Sequence, residues 1–405
     1  MGFIIFAILF VYAFVGYIMT RKLFAPIVVF NLLWSFIVFM TTVQLFGLYE
    51  TSEQVYYIVL LGCTFFTLGA SLKSLFIHRG DRYEYGLNKK IIYSIFFGSF
   101  IVMIVIFLAA LKLLIAGVPF GLIRYQYMDQ ILSNYFLEVT YKFFAYPATI
   151  AIVTVFLSDY YINKKCNFRL CIMAITLVFF DLVAIGDRLL IIYLLVGTVI
   201  IYREVAKKMQ KRQRRRIKYI LISVIIAFFG ILIARGSNAF SGPYLYIAGS
   251  LPYFSKRILD IPIDELTYYV TSYQGFFRPI IGCLEKIGIE FESFNLATEF
   301  LMSNQHTVYV INTGGEIYNY FCTIFAFFYR DWGIFGVCIH SALFGVVCQD
   351  IFDEYRVNKN YYSVSNFIFM LVAILMSFMS FAFAEVGMVW GYIIVRLLVK
   401  KIHKT

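Results

Sequence analysis

Only 14% of the 405 residues are charged, so arginines beside glycine or proline are conspicuous. In the segments expected outside the membrane these include Gly186-Asp187-Arg188, Arg235-Gly236-Ser237-Asn238 and Phe276-Phe277-Arg278-Pro279. A guanidinium is a rigid planar fork that grips phosphate or carboxylate bidentately, and a neighbouring glycine lets backbone approach the same ligand. Arg124, Arg257, Arg330, Lys256 and Lys286 extend the basic set. Such residues suit a diphosphate-bearing lipid, and they equally suit structural pairing with Asp187, Asp264, Glu265 or lipid phosphates. The candidate proton handlers are Glu299, His306, Glu316 and Asp331, all in the second half of one long polar segment. His306 has an ordinary pKa near 6.5, which fits general-base work; a solvated bystander has the same sequence. His340, between Ile339 and Ser341, is expected to be buried and hydrogen-bonded.

Other chemistries lack their signatures. The chain has no Gly-x-x-x-x-Gly-Lys-Ser/Thr, no His-Glu-x-x-His and no Gly-x-Ser-x-Gly. Its seven cysteines include no Cys-x-x-Cys, so no metal site is expected; Cys283 and Cys322 both fall in the expected external segment, where a disulfide between them is open and the sequence does not decide it.

The elements that must position these residues follow from composition. Apolar residues make up 61% and aromatics 20% of the chain, and mean hydropathy is +0.81. A soluble domain averages about 45–50% apolar, so a polytopic membrane protein remains. Runs long enough to cross a bilayer fall near 2–20, 26–49, 55–75, 91–116, 143–158, 170–186, 189–206, 217–234, 333–349, 361–382 and 386–399, eleven expected helices. Basic residues stay in cytoplasmic loops. Alternate loops hold 24 of the 35 Lys and Arg against seven acids, a net of +17 that leaves −5 for the rest of a chain at +12. The N-terminus is therefore expected outside and the C-terminus in the cytoplasm. Next to a span, the basic run at 207–218 reads as an anchor on anionic lipid and not as a nucleic-acid site. The expected division is 1–234 for helices one to eight, 235–332 for a large extracytoplasmic segment with short amphipathic helices, and 333–405 for the last three helices and tail. Tyr244, Ile247, Ala248, Leu251, Phe254, Ile258 and Leu259 recur at helical spacing, which suggests an interfacial amphipathic helix. Spans 170–186 and 189–206 are expected as a tight hairpin. Charges near the spans (Lys112, Asp181, Glu385, Arg396) lie toward helix ends, unlike the central polar groups common in transporters.

Pro26-x7-Trp34, Ser52-Glu53-x2-Tyr56, Phe66-x2-Gly69, Gly186-Asp187-Arg188 and Thr323-x4-Phe328-Tyr329-x-Asp331-x-Gly333-x2-Gly336 together resemble the motifs of Wzy-type oligosaccharide repeat-unit polymerases. Asn319 stands one residue from the position where that family has asparagine, and Trp332 replaces the commoner Phe. The resemblance implies an all-α, GT-C-like membrane glycosyltransferase in the cytoplasmic membrane, working at its outer face on undecaprenyl-diphosphate-linked oligosaccharide as donor and acceptor. It implies no metal or other cofactor, membrane lipids as surroundings, and a chain-length regulator as a possible partner. On this reading Arg188, Arg235 and Arg278 hold the diphosphate. Asp331, His306 and Glu316 are the acid–base candidates, and Arg124, Asp187, Thr323, Tyr329 and Arg330 contact substrate. A ligase acting on the same donor, or a lipid-linked oligosaccharide flippase, are the alternative readings.

Overall fold

The computed structural model describes residues 1–75, 83–119, 134–185, 189–205, 241–259, 265–306, 309–315, 317–318 and 322–402, with single positions or short runs at 123 and within 211–230; at 301–306, 309 and 317–318 it describes backbone only. Helices dominate. They are α1 (Gly2–Thr20), α2 (Pro26–Val43), α3 (Glu53–Leu75), α4 (Lys89–Ile115), α5 (Tyr135–Thr140), α6 (Tyr146–Asn163), α7 (Phe168–Ala184), α8 (Leu189–Glu204), α9 (Ser241–Ala248), α10 (Ser250–Arg257), α11 (Gln274–Glu285), α12 (Glu292–His306), α13 (Ile324–Asn358), α14 (Tyr361–Met376) and α15 (Val386–Leu398). The strands are short: β1 (Glu84–Leu87) pairs antiparallel with β4 (Val399–Ile402), and β2 (Tyr309–Val310) with β3 (Ile317–Tyr318).

Among the described residues, six stretches are long and apolar enough to cross a membrane: Gly2–Thr20, Pro26–Val43, Glu53–Leu75, Lys89–Ile115, Tyr135–Asn163 and Ile324–Asn358. The architecture is that of an all-α membrane protein. Helices suit this solvent because every backbone group is satisfied within the segment. Their ends follow local chemistry: Pro26 occupies the first turn of α2, where its missing N–H costs nothing, and Asn88 caps α4. The expected hairpin is two separate helices, α7 and α8, of 17 and 16 residues, while α14 and α15 are shorter apolar helices. Most of the expected span at 217–234 lies outside the described residues.

By its contacts the chain forms two units. One unit comprises Met1–Arg79, Phe240–Glu354 and Ala373–Glu385; the other comprises Gly80–Ala239, Tyr355–Val372 and Val386–Thr405. The segment after residue 240 is thus no separate domain, because it closes over the α2–α3 connection. Tyr244 donates its hydroxyl to the Met40 carbonyl at 2.6 Å and accepts Leu45 N–H at 2.8 Å. Burial raises the pKa of that phenol above its ordinary value, keeping it a donor. Tyr49 N–H reaches the Ile311 carbonyl and Thr313 N–H the Gly47 carbonyl. These contacts correct the expected interfacial helix: Tyr244, Ala248, Leu251, Phe254 and Ile258 are buried in α9, α10 and the turn that follows.

Inside the first unit an aromatic stack forms the core. Phe30 lies on Phe66 with centroids 3.9 Å apart, and Trp34 is 4.5 Å from Phe325. Two glycines bring α3 and α13 together: a Cβ on Gly69 would stand 2.1 Å from the Ala342 carbonyl oxygen, and one on Gly345 would stand 2.2 Å from that of Phe66. Small residues let helices approach where hydrophobic exclusion from water is absent. At the far ends of those helices Lys73 pairs with Asp350 at 2.8 Å.

In the second unit, a π-helical turn at Tyr141–Ala145 joins α5 to α6, a distortion that often marks functional positions. From it Tyr141 donates to the buried Asp181 at 2.8 Å. Near the β1–β4 pair, Tyr85 stacks on Tyr362, Arg396 lies 4.0 Å above Tyr362, and Tyr361 donates to Asp159 at 2.9 Å.

Gly345→Leu is expected to destabilise the protein by at least the roughly 1–3 kcal/mol typical of overpacking. Gly282→Ala in α11, with nothing within 4 Å of the added Cβ, should be neutral or slightly stabilising. Thermal unfolding in detergent separates the two.

Candidate functional site

The first unit's polar site is built where α13 breaks. Trp332 (φ −142°, ψ 30°) and Gly333 (φ 57°, ψ −140°) are non-helical, and the second of these conformations is open essentially to glycine alone. The break exposes the Arg330 and Asp331 carbonyls sideways, where they accept the N–H groups of Thr267 at 3.2 Å and Tyr268 at 3.1 Å. The Asp331 side chain completes the capture. Its Oδ1 accepts the Thr267 hydroxyl at 2.7 Å and Thr271 N–H at 3.0 Å, and its Oδ2 accepts Ser272 N–H at 3.1 Å. Asp331 is wholly buried.

The captured turn is strained. Tyr268 (φ 50°) and Tyr269 (φ 68°) both occupy the left-handed region, which costs an L-residue about 1–2 kcal/mol. Both rings stand half exposed, Tyr268 at 52% and Tyr269 at 49%, and Tyr269 meets Trp332 edge-on. The turn ends at Tyr273, whose phenol is pushed above its ordinary pKa by burial and by the Asp331 charge, and then runs directly into α11.

Arg278 lies in α11. It donates to the Thr298 hydroxyl of α12 at 2.7 Å, Gln274 donates to the same oxygen at 2.8 Å, and the guanidinium sits 5.3 Å from the Phe294 ring centre. Arg330 is buried and bridges Glu265 at 3.1 Å, with its guanidinium over Phe300. Arg330 Nε is a buried donor without a hydrogen-bond acceptor. Tyr329 donates to the Leu259 carbonyl, and Thr323 accepts Ala326 N–H as the cap of α13. Lys256 lies 4.0 Å above the Tyr49 ring.

The structure therefore brings Asp331, Arg330, Tyr329 and Thr323 to one end of α13 and places Arg278 on the helix that continues the captured turn. Thr323, Tyr329 and Arg330 are each engaged with protein. Arg124, Asp187, Arg188, Arg235 and Glu316 lie outside the described residues, as does the side chain of His306, the last residue of α12. Glu299 is exposed on α12. His340 departs from its expected hydrogen-bonded role: it is buried among the rings of Phe328, Tyr273 and Trp332 at 5.1, 5.5 and 5.8 Å, and its Nδ1 has no partner. Cys283 is exposed and Cys322 buried, and no disulfide joins them. Among the described residues no cluster of His, Cys, Asp or Glu could hold a metal ion. No protein-family model, curated protein or solved structure matches the chain.

Sequence reading missed the Tyr268–Tyr269 pair. Nothing in Thr-Tyr-Tyr-Val-Thr-Ser announces left-handed tyrosines, since that conformation is held by an acid some sixty residues away (Thr271 to Asp331 is a separation of 60).

Asp331→Ala removes the acceptor of the Thr271 and Ser272 N–H groups, while the Thr267 hydroxyl keeps Thr271 Oγ1 and the Arg330 carbonyl within reach. Each orphaned buried donor costs about 1–3 kcal/mol, so the 267–273 turn should open, seen as faster amide exchange across those residues in detergent. Exchange equal to that of the native chain would show that the turn holds itself.

Proposed function

We propose that the chain is a membrane glycosyltransferase that polymerises oligosaccharide repeat units carried on undecaprenyl diphosphate, at the outer face of the cytoplasmic membrane. In this reaction an acceptor hydroxyl attacks the donor's anomeric carbon, the bond from that carbon to the diphosphate oxygen breaks, and the hydroxyl proton passes to a base. Undecaprenyl diphosphate leaves. Cationic groups aimed at the leaving diphosphate stabilise the charge it gains.

The observation that carries this reading is the turn held by Asp331. It presents two half-exposed tyrosines beside the end of an apolar helix and leads straight into the helix that bears Arg278. Aromatic faces suit the C–H faces of sugar rings, and a guanidinium suits a diphosphate. Asp331 is a positioning residue here, because both its oxygens already accept hydrogen bonds from the turn. Arg188 and Arg235, outside the described residues, are the other cationic candidates, and His306 and Glu316 the proton acceptors, that this proposal tests. Tyr329, Thr323 and Arg330 hold the frame.

Purified lipid-linked repeat units supplied to the protein in liposomes should lengthen without a second acceptor. Arg278→Ala, Arg188→Ala and Arg235→Ala should each cut elongation by about a hundredfold with the protein still in the membrane. Normal polymer length in all three would remove the diphosphate role. Units that transfer only to a different acceptor would make the chain a ligase.

A further inference from the structure

In α11 the usual arrangement of a surface helix is inverted. At about 100° per residue, Phe276, Phe277, Ile280, Leu284 and Ile287 fall on one arc, and Gln274, Arg278 and Glu285 on the opposite one. The polar arc faces the protein: Gln274 is buried, and both it and Arg278 donate to Thr298 of α12. The apolar arc faces outward, with Phe276 40%, Phe277 37%, Ile280 62% and Ile287 71% exposed. The chain beyond continues it through Ile289 and Phe291, both exposed.

The ridge begins beside the connection between two apolar helices, α14 and α15. Gly275 N–H donates to the Phe383 carbonyl at 3.1 Å, and the Phe276 ring lies 5.8 Å from that of Phe383. Phe383 belongs to the connection that follows α14, and Ser377, at the start of that connection, accepts Ile324 N–H at the beginning of α13. The first turn of α11 is thus fastened where two apolar helices reach their ends. The exposed Tyr268 and Tyr269 adjoin it, and tyrosine is enriched at the depth where hydrocarbon meets headgroups.

We infer that α11 and the segment through Phe291 lie in the membrane–water interface, with the apolar arc among the acyl chains and the Arg278 arc turned toward the protein. The occupant of the face is the bilayer. A water-facing helix would turn its polar arc outward, and here Gln274 and Arg278 of that arc both donate to Thr298 of α12. One consequence rests on the proposed function: Arg278 and the captured turn would stand at the depth where a lipid-linked diphosphate leaves the bilayer.

The test uses the full chain in phosphatidylethanolamine–phosphatidylglycerol liposomes, with the exposed Cys166 and Cys283 replaced by Ser. Nitroxide labels at Ile280→Cys and Ile287→Cys should collide with oxygen several-fold more, relative to a water-soluble nickel chelate, than a label at Glu299→Cys, an exposed position on α12. Equal nickel accessibility at all three positions would place the ridge in water. Protection of 280 and 287 from both reagents would mean a protein partner, and either result overturns the inference. As a second measurement, a fluorophore on the native Cys283 in the Cys166→Ser chain should be quenched by brominated lipid; absence of quenching counts against it. Neither readout depends on catalysis, so failure here and failure of the polymerase reading are distinguishable.

Discussion

The first unit depends on one carboxylate. Burying an ionised Asp without partners is costly by several kcal/mol, and Asp331 offsets this with a hydroxyl and two backbone N–H donors, each charge-assisted and worth roughly 1.5–3 kcal/mol. Because the helix breaks immediately afterward at Gly333, the preceding carbonyls are also free to take backbone donors from the same turn. Five hydrogen bonds from three consecutive elements of backbone and side chain thus fix a turn that contains two left-handed tyrosines. A strained segment persists only where its surroundings over-determine it. The direction of α11, and with it the position of Arg278, follows from that turn.

The membrane class and most helices were legible from the sequence because the bilayer imposes a simple rule: about 20 apolar residues in a helix, with backbone groups satisfied locally. Where the chain leaves the spans, the same periodicity loses its meaning. The pattern from Tyr244 to Ile258 correctly indicates an apolar face, but periodicity does not say what covers it, and protein covers this one. In α11 the periodicity is hidden by Pro279, which lies inside the helix, where proline is disfavoured. Phe276, Phe277 and Ile280 then pass as scattered apolar residues.

The candidate site was legible in identity more than in role. Asp331 was conspicuous as an acid among aromatics, and its chemistry as an isolated residue suggested proton transfer. Its surroundings make it an acceptor for a turn contributed by a distant part of the sequence. The same is true of Arg330, whose partner Glu265 is 65 positions away, and of His340, whose neighbours include a ring supplied by the turn, beside those of Phe328 before the break and Trp332 at it. Long-range pairing of this sort has no local signature, since each residue's type is compatible with several partners.

The motif residues that carry the family resemblance have structural work in the first unit. Trp34 donates to Ser377 at 3.1 Å, Phe66 stacks on Phe30, Gly69 admits the α13 backbone, Thr323 caps that helix, and Gly333 breaks it. Gly336 belongs to the same set, since a Cβ there would stand 2.1 Å from the Phe328 carbonyl oxygen. Packing constrains these residues whatever the protein acts on. Substrate selection must then come from side chains that the scaffold presents without needing them for its own cohesion. Tyr268 and Tyr269 meet that condition: their backbone is fixed by Asp331 through neighbouring residues, while their rings are half exposed. On the proposed polymerase reading, changing those rings should therefore alter which glycan is accepted well before it alters the fold, whereas changing Asp331 should do both.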